Sequence, residues 1–177
     1  NWSGILDNYF KSSINNTIAW TSAVAIPKKV LLETNGFDES ITLGAGEDTD
    51  LWIRIALNYP VAFSNIATAV HNLHAFNRLS NSNTNKRTFL NLDKYEEEAN
   101  KRPYLKKYLD RNRFSIGLQY KLSGNSNQSK DFFKKIAKKN LNWKQKILLS
   151  SPMFLLKAYI SIQRFLRKIG VKLTPFH

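Results

Sequence analysis

Gly46-Glu47-Asp48-Thr49-Asp50-Leu51-Trp52-Ile53-Arg54 places three carboxylates within four residues and follows them with an apolar run. The spacing predicts a helix over about residues 47–59. Trp52, Ile55, Ala56 and Tyr59 recur at i, i+3, i+4 and i+7, the period of one buried helix face. Pro60 stops it, because proline brings no N–H to the helix ladder. Acids at a helix start have an ordinary explanation. The helix dipole and the free N–H groups of the first turn favour them by about 0.3–1 kcal/mol each. Asp50 and Arg54, four apart, can also pair on the exposed face. Asp48 is left over, since by the same spacing it shares a face with Leu51, Trp52 and Ile55, the side expected to meet the core. A carboxylate there is either buried at a cost or set at the edge of a cleft. Gly44 and Gly46 make the preceding loop pliable, which suits a cleft. A carboxylate at such an edge can take the proton of a substrate hydroxyl, and general-base catalysis of this kind contributes about 10²–10⁴-fold in rate.

Outward from this motif, the chain reads as two regions. Residues 18–26 form an apolar run ended by Pro27, which predicts a buried strand. Pro27 can open a short helix over 28–34, closed by Asn35-Gly36, where left-handed backbone is tolerated. Residues 61–66 predict a second strand, 67–80 an extended or loop segment, and 81–85 a polar loop. Beyond Lys86 the pattern turns helical, with helices predicted over 87–100, 103–122, 128–139, 143–149 and 152–169. The breaks fall at Lys101-Arg102-Pro103, Ser123-Gly124-Asn125, Asn140 and Ser150-Ser151-Pro152. The expectation is therefore an α/β piece over residues 1–85 followed by a basic, mainly α-helical extension over residues 86–177.

With 177 residues and 42% hydrophobic residues the chain can bury a core, and general disorder is excluded. It has no cysteine, so disulfides and thiolate chemistry are excluded as well. The 27 Lys and Arg against 13 Asp and Glu leave a formal charge of +14. Such a surplus favours a polyanion: nucleic acid, an anionic membrane surface or a phosphorylated substrate. The surplus is uneven, because Asp131 is the only acid from Lys130 onward. The most apolar stretch, residues 152–169, is broken by Lys157, Gln163, Arg164 and Arg167, which argues against a membrane span. The chain opens on Asn1-Trp2-Ser3 rather than on Met and reads as a fragment of a longer product.

Two histidines complete the candidate chemistry. His71 and His74 lie in the extended segment at a spacing that points them to opposite faces of a strand, so both would ligate one ion only through a turn. One of them, joined by carboxylates from elsewhere, could hold a divalent ion. A structural or surface role is the commoner fate of a lone histidine.

Asn35-Gly36-Phe37-Asp38-Glu39 followed by the run from Gly46 to Arg54 resembles the acceptor-side half of the family 2 glycosyltransferases, which have the GT-A fold. Thr21-Ser22-Ala23-Val24-Ala25-Ile26 is similar to the strand preceding that element. His74-Ala75-Phe76-Asn77-Arg78-Leu79-Ser80 is similar to the segment that follows it in bacterial members. The resemblance spans about residues 19–80. It implies the C-terminal part of a nucleotide-diphospho-sugar transferase fold. It also implies an inverting transfer from a nucleotide-sugar donor to a glycan or lipid-linked acceptor, in bacterial polysaccharide or glycan synthesis. Asp48 would be the base. Glu47, with Gly46, would bind the acceptor or orient the loop, and Trp52 would pack beneath the motif. A divalent cation, Mg or Mn, would sit on the donor diphosphate with His74 as a ligand and His71 in reserve. The only Asp-x-Asp is Asp48-Thr49-Asp50, which belongs to the base motif. The resemblance therefore implies that the nucleotide-binding half lies outside this chain and that this chain alone does not transfer sugar. Its implied place is the cytoplasm, peripheral on the inner face of the cell membrane.

The basic extension has two readings. Met153, Leu155, Leu156, Tyr159, Ile160, Ile162, Phe165, Leu166 and Ile169 give the last helix a wide apolar surface flanked by Lys157, Arg164, Arg167 and Lys168. That surface either packs on neighbouring helices or lies in an anionic membrane interface. A non-catalytic module binding nucleic acid is the rival from another class, with Phe132, Phe133, Trp143 and Tyr159 available for stacking. It is disfavoured, because these aromatics fall at core-like helical spacing.

Overall fold

The computed structural model describes residues 2–15, 17–70 and 82–168. They belong to two compact units, Asn1–Lys94 and Tyr95–His177. Helix accounts for 60% of the described residues and strand for 3%. The α/β, GT-A expectation is thereby corrected: the chain is mainly helical, with a single two-stranded antiparallel sheet among the described residues.

The correction has a local cause. A strand exists only through a partner that takes its N–H and C=O groups. In the apolar run 18–26, Thr21–Ala23 wind into a 3-10 turn, and residues 24–26, though extended at Val24, have no ladder partner among the described residues. None of 18–26 is buried. The second predicted strand pairs only at β2 (Ala62–Phe63), which meets β1 (Gly4–Ile5) in the register Gly4 to Phe63 and Ile5 to Ala62. Leu6 N–H extends the pairing to the Val61 carbonyl at 2.8 Å, and Trp2 stacks on Phe63 with centroids 6.3 Å apart.

In the first unit, α1 (Tyr9–Ser12) starts on Asn8, whose side chain accepts from Lys11 N–H at 2.9 Å. It buries Tyr9 and Phe10 edge to face. Helix α2 (Lys28–Glu33) follows Pro27 and ends in two left-handed residues, Asn35 and Gly36, each with φ 57°. Helix α3 (Glu47–Asn58) carries the acidic motif in its first turn. Its burial centres on Asp50, Leu51, Trp52 and Ile53 rather than on the expected stripe, of which only Trp52 is buried. The other buried apolar residues of this unit beyond α1, namely Ile41, Ala45, Leu90 and Leu92, flank the motif in sequence or return to it from downstream.

The second unit opens with α4 (Glu96–Lys101), shorter than the helix expected over 87–100. Helix α5 (Pro103–Leu122) has Pro103 in its first turn, where the missing N–H costs nothing. It buries Leu105, Leu109, Phe114, Ile116 and Tyr120. Helix α6 (Ser126–Lys134) is capped by Asn125 and packs closely on α5 at Gly117. A Cβ there would lie 2.5 Å and 2.7 Å from atoms of the Phe133 ring. Helix α7 (Trp143–Ser150) begins in a reciprocal capping box between Asn142 and Gln145, which satisfies two backbone donors at once. Helix α8 (Met153–Lys168) follows Pro152. Phe114, Ile136, Leu141, Leu148 and Leu156 form the core that joins α5, α7 and α8.

A buried carboxylate ties this unit together. Asp110 is fully buried and meets Lys106 Nζ at 3.1 Å and Arg113 at 3.4 Å. It also accepts from Ala137 N–H at 3.2 Å and Asn140 Nδ2 at 2.7 Å. Glu96 closes the cluster from α4, pairing with Lys106 at 3.0 Å and with Arg113. Partial burial pushes the Glu96 carboxyl up, but the hydrogen bonds from Lys106 and Arg113, with their charges, outweigh it and hold it below the ordinary carboxylate range.

Two outcomes follow for stability. A carboxyl depressed in the folded state contributes stability above its unfolded value and loses it as pH falls through the folded one. Glu96→Gln should therefore be less stable than the parent at neutral pH and should lose less stability on acidification, as read by urea midpoints across the acid range. Gly117→Ala should cost about 1–3 kcal/mol, because its methyl group has to displace the Phe133 ring. Thermal and urea unfolding measure that cost.

Candidate functional site

The acidic motif is positioned by the loop before it. Leu43, Gly44 and Gly46 all take left-handed backbone, with φ of 58°, 68° and 106°. Glycine suits position 46 because its φ is one that L side chains rarely adopt, and a Cβ there would also lie 2.4 Å from Leu90 Cδ2, so that the leucine tip would have to move. The downstream segment 88–90 braces the loop. Thr42 N–H donates to the Thr88 carbonyl at 3.1 Å, Thr88 N–H to Thr42 Oγ1 at 3.1 Å, and Leu90 N–H to the Ala45 carbonyl at 3.2 Å. The glycines of this loop make defined turns, held by hydrogen bonds to the downstream segment 88–90.

The three carboxylates at the head of α3 have separate roles. Glu47, half-buried, turns back so that its Oε2 accepts from Gly46 N–H at 3.1 Å, covering a donor at the helix entrance. Asp50 is fully buried, not exposed as the sequence led us to expect. Its Oδ2 meets Arg54 Nε at 2.9 Å and its Oδ1 meets Lys94 Nζ at 2.7 Å. Arg54 in turn donates to the backbone carbonyls of Thr34 and Gly36, the latter at 2.7 Å, so it grips the end of α2. Lys94 also approaches Asp38 at 3.7 Å. Hydrogen bonds from the Ser40 hydroxyl and N–H hold the half-buried Asp38 carboxyl below its ordinary range.

Asp48 is different. It is half-buried, and among the described residues it forms no ion pair. Its Oδ1 accepts from Thr49 N–H at 2.6 Å and lies 3.3 Å from Thr49 Oγ1, while Oδ2 accepts a long bond from Thr21 Oγ1 at 3.4 Å. One turn further along the same helix face stands Trp52, buried, with an indole Nε1–H that has no hydrogen-bond partner among the described residues. A proton acceptor without a cation and an unspent buried donor thus share one face of α3.

A divalent ion fits this cluster poorly. Both oxygens of Asp50 are occupied by cations, so Asp48-Thr49-Asp50 does not offer the paired carboxylates such an ion needs. No group of three or more His, Asp or Glu placed to hold a metal occurs among the described residues. His74 and His71, the expected ligands, lie outside the described residues. Sequence reasoning did not single out Lys94, Thr21 as a partner of Asp48, or the brace at Thr88 and Leu90. All of these are long-range contacts with no signal in local spacing.

The aromatic residues proposed for base stacking are mostly spent inside the second unit. Phe132 stacks on Tyr120 at 5.8 Å, Phe133 lies 6.4 Å from Phe114, and Tyr159 packs against the core, which leaves Trp143 exposed. No helix among the described residues is long and apolar enough to cross a membrane. Neither protein-family models, nor curated proteins, nor solved structures yield a match to this chain.

The different roles of Asp50 and Asp48 predict different costs on neutralisation. Asp50→Asn leaves two cations against a neutral amide in a buried place and should cost about 3 kcal/mol or more. Asp48→Asn should stay within about 0.5 kcal/mol of the parent, as surface substitutions do. Urea denaturation of the two variants side by side measures the difference.

Proposed function

We propose that the head of α3 is the general-base element of a glycosyltransferase, with Asp48 as the base. The observation that carries this reading is the condition of Asp48: it is half-buried, forms no ion pair among the described residues, and one of its oxygens, Oδ2, meets only a long hydrogen bond from Thr21 at 3.4 Å, while Glu47 is turned back on Gly46 N–H and Asp50 is paired with two cations. The similarity of Asn35 to Glu39 and Gly46 to Arg54 to the acceptor-side motifs of family 2 glycosyltransferases supplies the reaction class. The reading concerns the site and not the fold, which is mainly helical.

In the proposed step, an acceptor hydroxyl lies against Asp48 and gives its proton to the carboxylate as its oxygen bonds to the anomeric carbon of a nucleotide-sugar. The bond from that carbon to the nucleoside diphosphate breaks, and the diphosphate leaves with the electron pair. A single in-line displacement inverts the anomeric centre. Trp52 Nε1–H is available to hydrogen-bond the acceptor, Glu47 keeps the helix entrance closed, and Gly46 allows the turn that presents both. A bound divalent cation would neutralise charge on the leaving diphosphate, with ligands from outside the described residues.

The donor site is assigned to polypeptide beyond this set of residues. The exposed Trp20, Leu32, Phe37 and Ile66 of the first unit, with residues 24–26, which have no ladder partner among the described residues, offer apolar surface and backbone for such a part to cover. The acceptor is a glycan or lipid-linked hydroxyl, and the enzyme works in the cytoplasm at the inner face of the cell membrane.

In the enzyme that includes its donor-binding part, Asp48→Asn should lower transfer by about 10²-fold or more while leaving the unfolding midpoint unchanged. A product assay with radiolabelled nucleotide-sugar reads this. Near-parental transfer by that variant removes Asp48 as the base. Sustained sugar transfer by the 177-residue chain alone removes the assignment of the donor site to another segment.

A further inference from the structure

Helix α8 buries one side and leaves the other bare. Leu156 enters the core of the second unit, with Tyr159 packed against it. At about 100° per residue, positions 154, 155, 158, 161, 162 and 165 fall within one arc of about 120° on the opposite side. These are Phe154, Leu155, Ala158, Ser161, Ile162 and Phe165, and every one is exposed. Phe154 is 69% exposed, Leu155 49%, Ile162 55% and Phe165 64%. The arc carries no charge, and Ser161 is its single polar member. Lys157, Arg164 and Lys168 follow one row of positions beside it, at i, i+7 and i+11.

A soluble surface does not ordinarily leave two phenylalanines, a leucine and an isoleucine aligned in the open. The packing role of α8 is already filled by its other side. What covers the bare arc must be apolar in depth and negative at its rim. A duplex or single strand of nucleic acid meets the charge but not the uncharged arc, which offers it one hydroxyl. A second copy of this chain would bring the same basic row and a chain charge of +14 against it. An anionic bilayer meets both conditions: acyl chains take up the arc, and phosphate groups face the row. The 16 residues of α8 give a rod about 24 Å long. Charge complementarity extends beyond the helix, because no acid follows Asp131 while Lys138, Lys139 and Lys146 are exposed in the same unit.

We propose that α8 lies flat in the surface of an anionic phospholipid bilayer, with Phe154, Leu155, Ile162 and Phe165 inserted and the exposed Lys157, with the basic residues that follow it in sequence, supplying the charge toward the headgroups. This contact is independent of the role assigned to Asp48, and its test needs no turnover. The full chain is floated with vesicles of phosphatidylcholine alone and of phosphatidylcholine mixed with phosphatidylglycerol. It should float with the mixed vesicles, and raised salt should weaken that binding. Phe154→Ser/Ile162→Ser/Phe165→Ser should weaken it at least about tenfold, and Phe154→Leu/Phe165→Leu should retain it. Lys157→Gln/Arg164→Gln/Lys168→Gln should weaken it by about a hundredfold at low salt. Because the chain has no cysteine, Ala158→Cys carries a nitroxide at a unique site in the middle of the arc. On mixed vesicles that label should become more accessible to dissolved oxygen than to a polar nickel complex. Four outcomes overturn the proposal. They are failure to float with mixed vesicles, equal binding by the parent and the folded serine variant, a label that stays open to the polar reagent on bound vesicles, and salt-dependent DNA binding without vesicle binding. Self-association abolished by the serine substitutions, with no vesicle binding, would assign the face to a second copy instead.

Discussion

The buried carboxylate of Asp50 is the constraint on which the first unit depends. Taking a carboxylate out of water costs several kcal/mol unless its oxygens are met by cations or hydrogen bonds. Here each oxygen meets one cation, Arg54 on the same helix and Lys94 from the end of the unit. Once placed by Asp50, Arg54 has donors to spare, and it takes the carbonyls of Thr34 and Gly36. One side chain thereby joins the start of α3, the end of α2 and the last residues of the unit. A buried ion pair is weak evidence for stability, since well-packed apolar residues often do as well. Its stronger effect is on register: a one-residue shift of α3 would remove Asp50 from both cations at once. The position of Asp48, two residues before it, is fixed by the same requirement.

The second unit repeats the principle with other residues. Asp110 is the fully buried carboxylate, and its partners come from its own helix and from the turn after α6. Glu96 shares Lys106 and Arg113 with it, so two acids and two bases neutralise one another. In both units the apolar core alone leaves the relative rotation of short helices loosely set. A charge that must be fully paired removes that freedom, because few rotations present all of its partners together.

How much of this was legible in the sequence depended on the range of the interaction. Helices α2, α3, α5, α7 and α8 follow from periodicity, proline at their starts and small polar caps, all local signals. Asn35-Gly36 marked the end of α2 because left-handed backbone is a property of those residues themselves. The strands expected over 18–26 and 61–66 were not legible in the same way. Apolar composition signals burial, but pairing is a relation between segments, and among the described residues the only partner is the short Gly4–Ile5. The faces of α3 were misjudged for a related reason. The stripe from Trp52 to Tyr59 assumed one buried side along the whole helix, whereas its first two turns are the part buried, in a unit whose chain returns at Leu90 and Leu92. That placement put Asp50 inside and left Asp48 at the margin. The motif itself was visible from its residue types, but the separate tasks of its acids required knowing where Lys94 lies.

The two units also handle charge in opposite ways, and the contrast bears on what each is for. Near α3, the buried acid is matched by cations within the same unit, Glu47 is turned back on the helix entrance, and Asp48 is left half-buried with no ion pair among the described residues. In the second unit, the acids Glu96 and Asp110 are matched at its N-terminal end, and after Asp131 the chain adds bases with no acid at all. Like charges held on one compact unit repel one another and lower its stability. Nothing in the packing calls for them, since the core of α5, α7 and α8 is apolar. The proposed bilayer contact would answer both features at once: anionic headgroups would balance the surplus, and acyl chains would cover the uncharged aromatic face of α8.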